Sequence, residues 1–127
     1  MQVQEGEGWR LLVDPARHPF VVLIGGAGWA AELTAAEASA LQEGIGRLLA
    51  QHQAIAAQLM AEEAITLELD LDLAQGGLWL ELEGTAARWQ LRFVLTPVGP
   101  QRGLEGCWDP AASGAFASAL AQWVAPA

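Results

Sequence analysis

The chain has 127 residues, a mass of 13.4 kDa and a formal net charge of −9, from 15 acidic residues against six bases, all arginine. A hydrophobic fraction of 53% and a single cysteine exclude a disordered chain and a disulfide-built scaffold. A chain of this size buries roughly two-thirds of its unfolded surface, enough for a core without metals or cross-links, so residues 1–127 are expected to form a single domain. A pI near 4.4 repels phosphate backbones and anionic lipid, which argues against a nucleic-acid or membrane partner.

Residues 1–8, MQVQEGEG, lack the basic start of a secretory signal. The longest apolar run, Phe20 to Ala31, is shorter than the about 20 residues a membrane span needs. With one thiol, these features predict a cytoplasmic protein.

Residues 2–33 read as strands broken by turns. Trp9 to Val13 is a short apolar run closed by Asp14-Pro15, and Phe20 to Ile24 is a second run that ends at Gly25-Gly26. Trp29 to Leu33 is a third. Thr34 with Glu37 then forms the pattern of a capping box, in which each residue satisfies the other's orphan amide. Leu41, Ile45, Leu48, His52, Ile55 and Leu59 follow at spacings of three and four, predicting a helix that closes near Glu62-Glu63.

After this helix the period changes to two. Ile65, Leu67, Leu69, Leu71 and Leu73 alternate with Thr66, Glu68, Asp70 and Asp72, the signature of a half-buried strand. Gly76-Gly77 turns the chain into a strand alternating Leu78, Leu80 and Leu82 with Trp79, Glu81 and Glu83. A third strand sets Trp89, Leu91, Phe93 and Leu95 against Arg88, Gln90, Arg92 and Val94. Pro97 to Arg102 reads as a loop, and Gly103 to Trp108 as a short strand. Asp109-Pro110 then supplies an N-cap and an N1 proline for a helix aligning Phe116, Leu120, Trp123 and Val124.

Each half therefore reads as about four strands and a helix, with pseudo-repeats at approximately 1–62 and 63–127. Thr34, Leu41, Ile45 and Leu48 match Asp109, Phe116, Leu120 and Trp123, each 75 positions later. Trp9, Phe20 and Trp29 pair in order with Trp79, Trp89 and Trp108. The expected fold class is α+β, two antiparallel sheets each covered by a helix.

This tandem β-β-β-β-α order resembles the Whirly fold and its single-repeat relatives, coactivator domains that bind single-stranded DNA. The runs GWRLLVDPARHPFVVLIGG, GLWLELEG and RWQLRFVL and the terminal WDP are similar to a small family of cyanobacterial proteins of this length. That likeness implies a Whirly-like fold and no established activity. Whirly proteins carry a lysine-containing KGKAAL-type motif. This chain has no lysine, so none of their DNA-binding residues transfers to it.

No catalytic constellation stands out, and the chain reads as a non-enzyme. Gly26-Ala27-Gly28 follows an apolar strand as a dinucleotide fingerprint would, but the helix starts only at Thr34, too late to meet a pyrophosphate; hairpin glycines are the expectation. His18 and His52 with one cysteine make no metal-ligand spacing, and His52 is expected buried and hydrogen-bonded. Cys107 is expected as a small core residue, and Ser39, Ser113 and Ser118 fall in helices with no nucleophile turn. No cofactor is called for.

The informative set is acidic. Glu68, Asp70, Asp72, Glu81 and Glu83 should share one sheet face with Arg88 and Arg92, and Trp79 should sit among them, with Trp9 at the matching spot of the first repeat. A solvated face is one reading. The other is a docking surface for a basic protein partner, with Trp79 as an anchor. Single-stranded nucleic-acid binding through tryptophan platforms and a small-molecule site between the repeats are the alternatives, and oligomeric state stays open between a self-contained pseudo-dimer and a helix-mediated assembly.

Overall fold

Residues 1–126 are described by a computed structural model. The chain runs β1 (Gln2–Gly6), β2 (Trp9–Val13), β3 (Val22–Gly26), β4 (Trp29–Leu33), α1 (Ala35–Ala56), β5 (Ile65–Leu73), β6 (Gly76–Gly84), β7 (Trp89–Pro97), β8 (Leu104–Trp108) and α2 (Pro110–Ala121). The strands form two antiparallel four-stranded sheets in meander order, β1-β2-β3-β4 and β5-β6-β7-β8. The fold is α+β, a tandem repeat of β-β-β-β-α units.

The first sheet is built on two turns of one kind. Gly6-Glu7-Gly8-Trp9 and Gly26-Ala27-Gly28-Trp29 each join paired strands through two residues, with Gly6 opposite Trp9 and Gly26 opposite Trp29. Gly8 and Gly28 take φ of 80° and 79°, the left-handed value that a type II turn requires at its second central position. Each indole lies over the glycine facing it, where a methyl group would collide with the ring nitrogen. The glycine-rich run is thus a hairpin: β4 follows it directly, with no helix to receive a phosphate. β1, exposed throughout, is the strand that apolar patterning did not mark.

The helix starts follow the sequence. Thr34 Oγ1 accepts from the Glu37 amide at 3.2 Å, and the Glu37 carboxylate accepts from the Thr34 amide at 2.8 Å. Asp109 caps α2 by accepting from the Ala112 amide at 2.8 Å, with Pro110 behind it. The helix ends differ from expectation. α1 stops at Ala56 because the Gln58 and Leu59 amides reach back three residues to Ile55 and Ala56, and Met60 and Glu63 then close a turn of their own. Likewise α2 ends at Ala121, so its buried face holds Phe116 and Leu120, while Val124 lies past it at 85% exposure.

Both sheets have helical cover, but not each from its own half. α1 lies mainly on β5 and β6, bringing Gly44 against Leu69, Leu71 and Leu80. α2 rests on β2 and β7 together. Its Ser113 hydroxyl accepts from the Leu91 amide and donates to the Trp108 carbonyl, both at 3.0 Å, so a buried polar side chain is fully partnered. One core results, running from Leu11 and Ile24 through Leu41 to Leu80, Phe93 and Trp108.

Candidate functional site: the outer face of the second sheet

Helix α1 covers the inner side of the second sheet, and the alternation of β5 to β7 sorts side chains accordingly. Leu78, Leu80, Leu82, Leu91, Phe93 and Leu95 are buried, and the intervening residues point outward. Register then fixes which outward residues are neighbours. One row crosses the sheet as Glu68, Glu81, Arg92 and Cys107, and the next as Asp70, Trp79, Val94 and Glu105. Thr66, Glu83 and Gln90 flank them on one side; Asp72, Gly77 and Thr96 lie on the other.

The structure thus brings together Glu68, Asp70, Asp72, Trp79, Glu81, Glu83 and Arg92, as the alternation predicts. Arg88 does not belong with them. It precedes β7 in a turn where the Thr85 amide donates to the Arg88 carbonyl at 2.8 Å and the Thr85 hydroxyl accepts from the Arg88 amide at 3.1 Å. Glu105 is an acid the sequence reading missed, because five-residue β8 offers too short an alternation to assign its faces. Trp9 also departs from expectation. It is in phase with buried Leu11 and packs on the core, whereas Trp79 is out of phase with Leu78 and Leu80 and faces outward. Cys107 is exposed on this outer face rather than in the core, since its neighbour Trp108 takes the inner side.

Charge on the face is nearly uncompensated. Glu68 stands directly opposite Glu81, an arrangement that costs tenths of a kcal/mol, roughly 0.2–1, relative to a neutral pair. Arg92 is the one arginine on a strand of this sheet. It faces Glu81 in register, yet its guanidinium carbon sits 4.9 Å from the centre of the Trp79 ring, a cation–π contact. Among the described residues, ion pairs within 4.0 Å form at Arg10–Glu5 and Arg17–Glu32, both in the first half.

Beside Trp79 the face becomes concave. Gly77 leaves its row without a side chain between Asp72 and Thr96, and a basin of about 490 Å³ opens there, walled by Trp79, Asp70, Asp72 and Val98. Val98, 69% exposed, is held over the β5–β6 turn by a hydrogen bond that its amide donates to the Gln75 carbonyl at 3.0 Å. An aromatic wall, two carboxylates and an apolar lip suit the stem and head of a lysine or arginine side chain.

Other candidates resolve differently. His52 is 6% exposed, hydrogen-bonded through Nε2 to the Thr85 carbonyl at 3.0 Å and packed against Trp89, a structural residue as expected. His18 is exposed in the β2–β3 connection. A cleft of about 480 Å³ does lie between the halves, lined by Phe20, Leu23 and Ala30 on one side and Pro97, Arg102 and Leu104 on the other. Its carboxylates are already engaged: Glu32 pairs with Arg17 at 2.9 Å, and Glu37 completes the capping box. Among the described residues, no group of three or more His, Cys, Asp or Glu is placed to hold a metal ion, and no helix is long and apolar enough to cross a membrane.

No curated protein matches the sequence. The fold is similar to the crystal structure of a protein with unknown function from the DUF155 family of the cyanobacterium Prochlorococcus sp. NATL2A, at 36% identity and a TM-score of 0.84, with 94% of this chain and 96% of that one covered. The family described as a domain of unknown function, DUF1818, matches residues 4–123, and the chain belongs to that family.

Proposed function

We propose that the protein is a non-enzymatic binding module that docks a basic protein partner on the outer face of its second sheet. The observation that carries this reading is the row Glu68–Glu81–Arg92 beside Asp70–Trp79. Opposed carboxylates are kept there at a cost in stability, and the neighbouring guanidinium lies over Trp79. A half-exposed tryptophan amid a predominantly acidic, partly concave surface has the make-up of an interface anchor in a polar surround.

The tandem element order supports a Whirly-type reading of the fold, and a net charge of −9 argues against the nucleic-acid contact that such a likeness would otherwise suggest. A cytoplasmic location fits the acidic, single-thiol composition.

The test is capture from native lysate at rising salt. A partner held by this face should be retained at low ionic strength, released as salt rises, and held less well by Trp79→Ala, since a lost central aromatic anchor costs about 2 kcal/mol or more. Capture that is indifferent to both salt and Trp79→Ala rejects the proposal.

A further inference from the structure

β5 is one edge of the second sheet, and its three rows of groups complement a single kind of ligand. On the outer side Thr66, Glu68, Asp70 and Asp72 are exposed. On the inner side Ile65, Leu67, Leu69, Leu71 and Leu73 are each only half-buried, whereas their cross-strand neighbours Leu78, Leu80 and Leu82 on β6 are fully buried. Between these rows, the backbone groups directed away from β6 have no hydrogen-bond partner among the described residues. The edge is nine residues long. A free edge of that length flanked by incompletely covered leucines is a template for strand addition.

The charges select the occupant. Across a continuous sheet, outward residues oppose outward residues, so a second copy of β5 would set carboxylates against carboxylates in either direction. A strand alternating apolar residues with lysine or arginine reverses this: its apolar residues extend the row of leucines, and its cations face Glu68, Asp70 and Asp72. No other edge offers all three rows. β1 puts Gln2, Gln4 and Gly6 on its inner side, five-residue β4 carries one carboxylate, Glu32, already paired with Arg17, and five-residue β8 is tied to the first sheet through the Cys107 carbonyl. We propose that β5 receives an extended, alternating basic–apolar segment of a partner protein as a fifth strand. This rests on the reading of the acidic face as a protein-docking surface, and it adds the backbone edge as the element that sets conformation and register.

The test uses the full chain and a capped nine-residue peptide alternating valine and lysine, read by fluorescence anisotropy. Two further peptides carry backbone N-methyl groups, one on the odd positions and one on the even, and a fourth has the same composition with its lysines clustered. The alternating peptide should bind and slow hydrogen exchange of β5 amides. Methylation of one parity should weaken binding at least about tenfold while the other parity leaves it intact, and clustering should also weaken it. Glu68→Lys/Asp70→Lys, both exposed on β5, should lose binding while near-UV circular dichroism shows the fold retained. Equal binding of all four peptides overturns strand addition and leaves the acidic face standing as a nonspecific cation surface. No binding by any of them overturns it too, and lysate capture with Trp79→Ala then judges the face alone. Dimerisation of the free chain through β5, seen by sedimentation, would replace the basic segment with a second copy.

Discussion

Trp29 and Trp108 lock the two halves together by reciprocal bonds: the Trp29 indole donates to the Cys107 carbonyl at 3.0 Å, and the Trp108 indole to the Gly25 carbonyl at 2.9 Å. Their rings meet edge-on at 5.2 Å, and Trp108 stacks on Phe116 at 4.1 Å. Gly106 makes this possible, because a Cβ there would come within 2.7 Å of the Trp29 ring and 2.8 Å of Phe93. The seam sets the second sheet, and so its outer face, relative to the first.

The two bonds should differ in strength. Trp108 is 1% exposed, so Trp108→Phe removes a hydrogen bond that water cannot replace and opens space in the core, at a cost of about 1–3 kcal/mol. Trp29→Phe removes a bond that water can replace and should cost about 1 kcal/mol or less. Urea denaturation midpoints at unchanged slope check the order.

Two glycines of α1 should respond in opposite directions. Gly46 has open space around its Cβ position, so Gly46→Ala should stabilise by roughly 0.5–1 kcal/mol through helix propensity. Gly44 faces Leu80 and Leu71, so Gly44→Val should overpack the contact between α1 and the second sheet and cost about 1–3 kcal/mol. Thermal denaturation of both variants tests whether α1 covers β5 and β6.

How much of this was legible in the sequence depends on what each signal measures. Alternation in residues 65–73 and 78–95 sorts inner from outer side chains, and the observed faces agree. The capping box at Thr34 and the Asp109-Pro110 pair mark both helix starts. Periodicity, however, shows that a helix face is buried and not what buries it, so the placement of α1 on the second sheet was invisible. β1 has exposed residues on both sides and thus no apolar pattern. For the site, aligning Trp9 with Trp79 by residue type ignored phase: one lies two residues from buried Leu11, the other one residue from buried Leu80. The basin arises from Gly77, a missing side chain, which composition cannot signal.

The charge distribution makes a prediction about nucleic acid. Each phosphate contact needs a cation, and six arginines, of which Arg10 and Arg17 are paired with glutamates, leave few to make them. A mixed-sequence single-stranded oligonucleotide should show no binding at physiological salt by fluorescence anisotropy. Submicromolar, salt-sensitive binding would favour the nucleic-acid reading instead.

The Trp79–Arg92 contact should be worth little to folding. At a half-exposed site it contributes about 0.5–1 kcal/mol, so Arg92→Ala should lower stability by no more than that. The same change makes the face more acidic still, and a basic partner should associate faster for it. Association rates by surface plasmon resonance at two salt concentrations separate this from any loss of contact.

Two charge-matched variants, compared in capture from lysate, decide whether the acidic face is the docking surface. Glu81→Lys/Glu83→Lys reverses the middle of the face; Glu43→Lys/Glu62→Lys makes the same charge change on exposed positions of α1 and of the loop after it. Exposed charges seldom contribute more than about 1 kcal/mol, so both should stay folded by near-UV circular dichroism. A partner captured by the unaltered chain and by the Glu43/Glu62 variant should be lost from the Glu81/Glu83 variant. Capture that survives reversal of Glu81 and Glu83 on folded protein would contradict it.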